Sequence, residues 1–308
     1  MKHFDLTPNL SKIFIGADQL KNKELKEVDY LVDQLFPRGT LCALVGESDT
    51  GKSSLLRQLA VSVAYGDETF IGFKLNDKCR NVVYVSTEDG EMGTSVWLNK
   101  HLGEDITNNE ALSQLKFLFI TDNLYDNIRK VICENCIDLL IIDSYADIFE
   151  GSMNDSNVVR SFLTKYNDLA NQYGITIIFL HHTKKSSEGM KPNKNSILGS
   201  QGFEAKMRSV MMLTKDKDDD SLRHLCVVKN NYLSPEEKKR SYVIKFNENL
   251  SFESIGKRVN LDDLDNPKYL QVAKDLRSQG KSLNEIVEAL NNLGFSVKRS
   301  TLHRKLNK

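Results

Sequence analysis

The stretch LCALVGESDTGKSSLLRQLAVSVAYG, residues 41 to 66, constrains this chain more than any other. An apolar run from Leu41 to Gly46 ends on a glycine-containing turn, and an amphipathic segment leaves that turn at once. Gly46, Gly51, Lys52 and Ser53 satisfy G-x-x-x-x-G-K-[ST], the spacing at which a strand, a loop and a helix wrap a phosphate. The glycines let backbone N–H groups face a β-phosphate, Lys52 reaches β and γ oxygens, and the Ser53 hydroxyl takes a place on Mg²⁺. The expected cradle comprises Gly46, Glu47, Ser48, Asp49, Thr50, Gly51, Lys52, Ser53 and Ser54.

The same rhythm recurs downstream. NVVYVST (81 to 87), LKFLFIT (115 to 121), IDLLIID (137 to 143), ITIIFLH (175 to 181) and RSVMMLTK (208 to 215) are short apolar runs separated by segments such as NVVRSFLTKYNDLANQYG. Continuous apolar strands alternating with helices predict an α/β fold, a mainly parallel sheet covered on both faces. After Lys215 the pattern changes: HLCVVKNNY and SYVIKFNENLSFES, led by the acidic turn KDKDDDS, predict antiparallel strands at one edge. LDDLDNPK is polar and contains Pro267, which predicts a linker into a helical tail. The expected layout is an N-terminal segment 1–36, an α/β domain 37–258, a linker 259–267 and a small all-α tail 268–308. SSEGMKPNKNS (186 to 196) is too polar to pack and predicts a mobile loop.

Lys plus Arg and Asp plus Glu number 42 each, so the whole chain has no net pull toward a polyanion. The balance is local: nine basic against three acidic residues from Asn266 to Lys308 give that part +6 and leave −6 for the remainder. No apolar run approaches bilayer length and no charged leader precedes one, which predicts a cytoplasmic protein without a membrane partner. Five cysteines, an odd number, predict reduced core thiols. Cys133 and Cys136 have CxxC spacing. A zinc site would need a second ligand pair, and a redox motif would open a helix where this pair closes one.

Three further positions carry chemistry. Asp143 ends the run IDLLIID, where a carboxylate can hold a metal's water shell or merely cap a helix; Ser144 follows it, so no adjacent Glu can activate water. In YVSTEDGE, Glu88 lies just past a strand on the edge where parallel sheets collect ligands, and can orient an attacking water, while Asp89 and Glu91 can be solvated loop charges. IIFLHHTKK ends on His181 and His182. The other histidines, His3, His101, His224 and His303, have no zinc-like spacing, which leaves a phosphate sensor or a core histidine as the main readings. Strand alternation sends His181 to the face opposite His182.

A phosphate loop, Glu after the next strand, Asp without a following Glu, and then strand-His-His resemble, in that order, the RecA-like ATPases. Within them residues 25 to 247 are similar to the hexameric plasmid replicative helicases of the RepA type, a subgroup of the AAA family ATPases. The resemblance implies ATP and Mg²⁺ as cofactors, Ser53 and Asp143 at the metal, and Lys52, Glu88 and His182 as catalytic groups, His182 sensing the γ-phosphate. It matches GSQGFEAKMRS to a segment that supplies a trans-acting arginine finger, here Arg208, and VVKNNY to a strand end with Lys229, Asn231 and Tyr232. The segment DGEMGTSVWLNK departs from the pattern: it has no arginine near Trp97, where the family has one.

The tail carries apolar positions at helical spacing in three blocks broken at Gly280 and Gly294, with SLNE as a capping box from Ser282 to Glu285. Ser296 or Ser300 can cap the third block, which sets Thr301, His303 and Arg304 on a basic face. It resembles the helix-turn-helix of resolvase-like and transposon proteins, whose third helix reads duplex DNA; the alternative is a basic helical tail that packs on a partner. The expected whole is a homo-oligomeric ATPase, a hexamer by resemblance, acting on DNA as a helicase or motor of a mobile element. Single-stranded DNA would follow Lys184, Lys185, Lys191 and Lys194 through the ring, and duplex would meet the tail. A regulatory DNA-binding ATPase and a P-loop kinase or signalling NTPase are the rivals.

Overall fold

Side-chain polarity and strand length settle the sheet before any tertiary contact is considered: runs that are apolar on both faces must be covered on both. The structure is a computed structural model and describes residues 15–23, 27–103, 109–119, 122–187, 190–265, 268–293, 295, 297 and 299–306. Among these residues the parallel strands are β1 (Leu41–Gly46), β2 (Val82–Ser86), β3 (Leu115–Leu118), β4 (Leu139–Asp143), β5 (Thr176–His182) and β6 (Ser209–Lys215). β7 (Leu222–Asn230), β8 (Arg240–Phe246) and β9 (Phe252–Asn260) continue antiparallel from β6. The resulting nine-stranded sheet runs β9-β8-β7-β6-β1-β5-β4-β2-β3, so the antiparallel strands lie at one edge, as the change in rhythm predicts. The phosphate-loop strand β1 is central.

Period-two alternation splits the core into two layers. On β1, Cys42 and Leu44 face α1 (Lys52–Tyr65) and α2 (Glu91–Leu102), joined by Leu31, Leu35 and Phe36 from the N-terminal segment. Leu41, Ala43 and Val45 face α3 (Leu124–Glu134) and α4 (Ser156–Tyr173). α4 starts where the Asp155 side chain accepts from the Asn157 and Val158 N–H groups, and ends at Gly174, whose φ of 69° is open to glycine at little cost. Its buried stripe of Val159, Leu163, Tyr166, Leu169 and Ala170 docks it on the sheet, each large side chain contributing about 1.5–3 kcal/mol.

Two segments depart from the sequence reading. Residues 259 and 260 end β9, and Leu261–Asp265 form a short helix, α5, whose Leu261 is buried and whose Leu264 packs beside it, where a polar linker was expected. Two leucines at a spacing of three suffice to bind a helix that is otherwise acidic. Pro267 lies outside the described residues. The polar stretch after β5 also packs in part: Pro192 and Ser196 are buried, Ile197 bridges to Thr183, and Lys191 pairs with Asp262. Glu188 and Gly189 lie outside the described residues.

The tail forms α6 (Lys268–Ser278), α7 (Leu283–Asn292) and α8 (Arg299–Leu306) around Leu270, Ala273, Ile286, Leu290, Val297 and Leu302. The predicted capping box is present, with Ser282 N–H donating to Glu285 at 2.7 Å and Glu285 N–H to the Ser282 hydroxyl at 3.4 Å. Gly280 turns the chain with φ 82°, and Gly294 lies outside the described residues. Ser300, read as a candidate cap, sits inside α8, which begins one residue earlier at Arg299; Ser296 lies outside the described residues. His303 is exposed, and the side chains of Thr301 and Arg304 lie outside the described residues.

Candidate active site

Register brings the chemistry-bearing strand ends to one edge. Gly46 on β1 pairs with His182 on β5, and Asp143 on β4 pairs with Ser86 on β2, two residues before Glu88. The loop between Gly46 and α1 is braced from both sides. Gly46 approaches β6 so closely that a Cβ there would lie 2.4 Å from the Leu213 carbonyl oxygen, and Gly51, with φ 91°, would meet Phe252 at 2.8 Å. Thr50 is buried: its hydroxyl donates to the Glu47 carbonyl at 3.0 Å, and its own carbonyl accepts from Arg223 Nε at 3.0 Å. Ser48 and Asp49 are exposed at the loop's crest, and Ser53 and Ser54 stand half-buried in the first turn of α1.

Lys52 Nζ donates to the Glu47 carbonyl at 2.6 Å, so the ammonium rests on its own loop. Burial pulls it below the usual lysine value, against the opposing pull of Asp143, Glu88, Asp49 and Glu47. Asp143 is 2 % exposed. Burial raises its carboxyl above the ordinary range, while hydrogen bonds from Tyr84 and Ser53 and the charges of Arg57 and Lys52 hold it down. The Tyr84 hydroxyl donates to Asp143 Oδ2 at 2.6 Å, and buried Oδ1 accepts from nothing among the described residues. A bare buried acceptor costs about 1–3 kcal/mol. A water of hydrated Mg²⁺ would satisfy it beside Ser53, so these residues fit a magnesium nucleotide.

Glu88 and His182 face each other, His182 Nε2 lying 3.9 Å from Glu88 Oε1, beyond hydrogen-bond length. Partial burial lifts the Glu88 carboxyl above its usual value, helped by Asp143 and Asp147. Burial and Lys52 push His182 below its usual value, so the ring is neutral near pH 7 and can donate one N–H. His181 points to the other face, fully buried against Tyr145 and Phe203 with ring centroids at 5.0 and 4.8 Å. Its Nε2 lies 3.1 Å from the Leu198 carbonyl and its Nδ1 has no partner among the described residues, so burial drops its pKa to about 4.

Arg208 and Lys229 lie elsewhere. Both sit where β6 begins and β7 ends, since Ser209 pairs with Cys42 near the start of β1 and Lys229 pairs with Val210. The length of a strand, about 3.3 Å per residue, separates them from their own phosphate loop. Arg208 is exposed, whereas Lys229 pairs with Glu204 at 3.0 Å and donates to the Glu204 carbonyl at 2.7 Å. Asn231 N–H donates to the Arg208 carbonyl, and Tyr232 is exposed.

Sequence reasoning missed Tyr84, Arg57 and Asp147. Arg57 is 4 % exposed and pairs with Asp89 at 2.6 Å. Asp147 accepts from the Thr87 and Ser144 hydroxyls. Two of the three had a signal: a phenol inside an apolar run two positions before Ser86, and a charge between Leu56 and Leu59 on the buried stripe of α1. Of the lysines expected to track DNA, Lys191 is paired with Asp262 and Lys184 donates to the Asn195 carbonyl at 2.9 Å. Cys42, Cys79 and Cys226 are buried thiols, but Cys133 and Cys136 are exposed at the end of α3, where no core layer reaches. No cluster of metal-ligating side chains occurs among the described residues, and none of their helices is long and apolar enough to cross a membrane.

Residues 9–188 match the model of a family described as AAA domain. No curated protein matches the chain. Among solved structures, the ATPase domain of a helicase superposes with a TM-score of 0.54 over 70% of this chain and 84% of that one, at 13% identity. That likeness is one of fold: a mainly parallel central sheet with antiparallel strands added. The match spans more than half of the 308 residues, and the chain belongs to the AAA domain family, with the core of a RecA-like P-loop ATPase.

Proposed function

We propose that this chain binds and hydrolyses ATP with Mg²⁺ as an oligomer acting on DNA, as a helicase or motor in replication or maintenance of a plasmid or other mobile element. The observation that carries the hydrolytic reading is the convergence on one sheet edge of Lys52, Glu88, His182 and an Asp143 whose Oδ1 is buried and bare among the described residues. Bound MgATP supplies the γ-phosphoryl group and the metal's charge. Lys52 leaves the Glu47 carbonyl for the phosphate oxygens. Ser53 and Asp143 hold the metal and its water shell, Glu88 orients the attacking water, and neutral His182 donates to a γ oxygen. Arg208 is exposed at the opposite end of the sheet, which supports its acting, with Lys229 once released from Glu204, on the site of a neighbouring subunit.

A DNA-binding regulatory ATPase without unwinding is the second reading. The engagement of Lys191 and Lys184 with protein partners favours it, and it requires slow turnover without strand displacement. One pair of measurements separates the readings: native mass, and ATPase rate with and without single-stranded DNA. The motor reading expects an oligomer, stimulation by DNA, and loss of hydrolysis in Lys52→Ala. A strictly monomeric protein with a rate indifferent to DNA would sink it.

A further inference from the structure

Behind the site lies a buried polar chain that the reading above leaves unused. Tyr84 is fully buried on β2, and burial keeps its hydroxyl well above the ordinary tyrosine pKa, so it is a permanent donor. It donates to Asp143 Oδ2 at 2.6 Å. Arg57 of α1 lies next to it, its guanidinium carbon 5.8 Å from the Tyr84 ring centre and 5.9 Å from that of Trp97. The same guanidinium pairs with Asp89 at 2.6 Å. The Asp89 carbonyl in turn accepts from the Ser86 hydroxyl at 2.8 Å, closing the loop that carries Glu88. Asp143, Tyr84, Arg57, Asp89 and Glu88 are therefore connected without a gap.

We propose that Tyr84 and Arg57 are positioning residues: Tyr84 occupies one oxygen of Asp143 so that the other is committed to the metal's water shell, and Arg57 holds the Glu88 loop against α1. A carboxylate on a short side chain can swing about its Cβ–Cγ bond. A single buried donor on Oδ2 removes that freedom and leaves Oδ1 as the one acceptor on offer. Arg57 also occupies the neighbourhood of Trp97, where the segment after Glu88 supplies no arginine of its own. The charge comes instead from the helix that follows the phosphate loop, so the helix bearing Lys52 and the loop bearing Glu88 are fastened to each other.

This rests on the magnesium-nucleotide reading of the site, and the test separates the two. Mn²⁺ binding to the full chain with ADP is followed by electron paramagnetic resonance, and metal-free ADP binding by calorimetry, for wild type and Tyr84→Phe. The expected result is Mn²⁺ affinity weaker by roughly tenfold in Tyr84→Phe, with metal-free ADP affinity and melting temperature unchanged. Arg57→Gln is expected to lower kcat by roughly tenfold, with KM for ATP and Mn²⁺ affinity unchanged, because it acts on the Glu88 loop and not on the metal. If Tyr84→Phe does not fold, the kcat-against-KM split in Arg57→Gln carries the test. Equal Mn²⁺ affinity in Tyr84→Phe, or a fall in KM-determined binding equal to the fall in kcat in Arg57→Gln, would overturn the proposal. A wild type that binds no nucleotide would overturn the site reading, and the positioning roles with it.

Discussion

The two adjacent histidines divide their work by strand alternation alone. His182 reaches the phosphate edge, and His181 is enclosed by Tyr145 and Phe203, its Nδ1 unpartnered among the described residues. Protonating His181 would place a charged donor with no acceptor among aromatic rings, and so its pKa falls to about 4. In the unfolded chain the same group titrates near 6.5, so between the two values the unfolded state holds the extra proton and stability falls as pH falls. On the order of 3 kcal/mol is present above the unfolded pKa and is lost progressively down to about pH 4. Urea unfolding at pH 7 and pH 4.5 checks this: His181→Leu is expected to lose less stability on acidification than wild type. Period two made the division legible from sequence. The partners that tune each ring were not, because Leu198 and Phe203 come from a distant loop and helix.

At the scale of elements, the parallel strands were legible because burial on both faces leaves continuous apolar runs, and the phosphate loop because its spacing is chemically exacting. The packing of Pro192, Ser196 and Leu261 was not, since each depends on a surface assembled from remote strands. The tail stands between these cases. Its helices follow from spacing and a capping box, and its apolar cluster contains residues 270 to 302 alone, so it satisfies its own core. With nine basic residues against three acidic ones, it is the strongest positive segment of the chain. Removing residues 266–308 is expected to leave the ATPase core folded and to flatten the dependence of DNA affinity on salt concentration, measured by fluorescence anisotropy. An unchanged slope would assign the tail to packing instead.

At the scale of the molecule, the phosphate loop sits at one end of the parallel strands, and Arg208 and Lys229 at the other. An arginine a strand's length away cannot reach its own site. Equal mixtures of Lys52→Ala and Arg208→Ala, each inactive alone, are therefore expected to recover a fraction of wild-type ATPase rate, because some contacts join an intact loop to an intact arginine. Steady-state phosphate release measures this, and no recovery would place Arg208 outside the reaction. Such a polarity also governs counting. Copies joined head to tail in an open row finish one site fewer than their number, and a pair finishes only one. Only a row closed on itself leaves nothing idle, so output per copy should climb with concentration and level off when closure is reached.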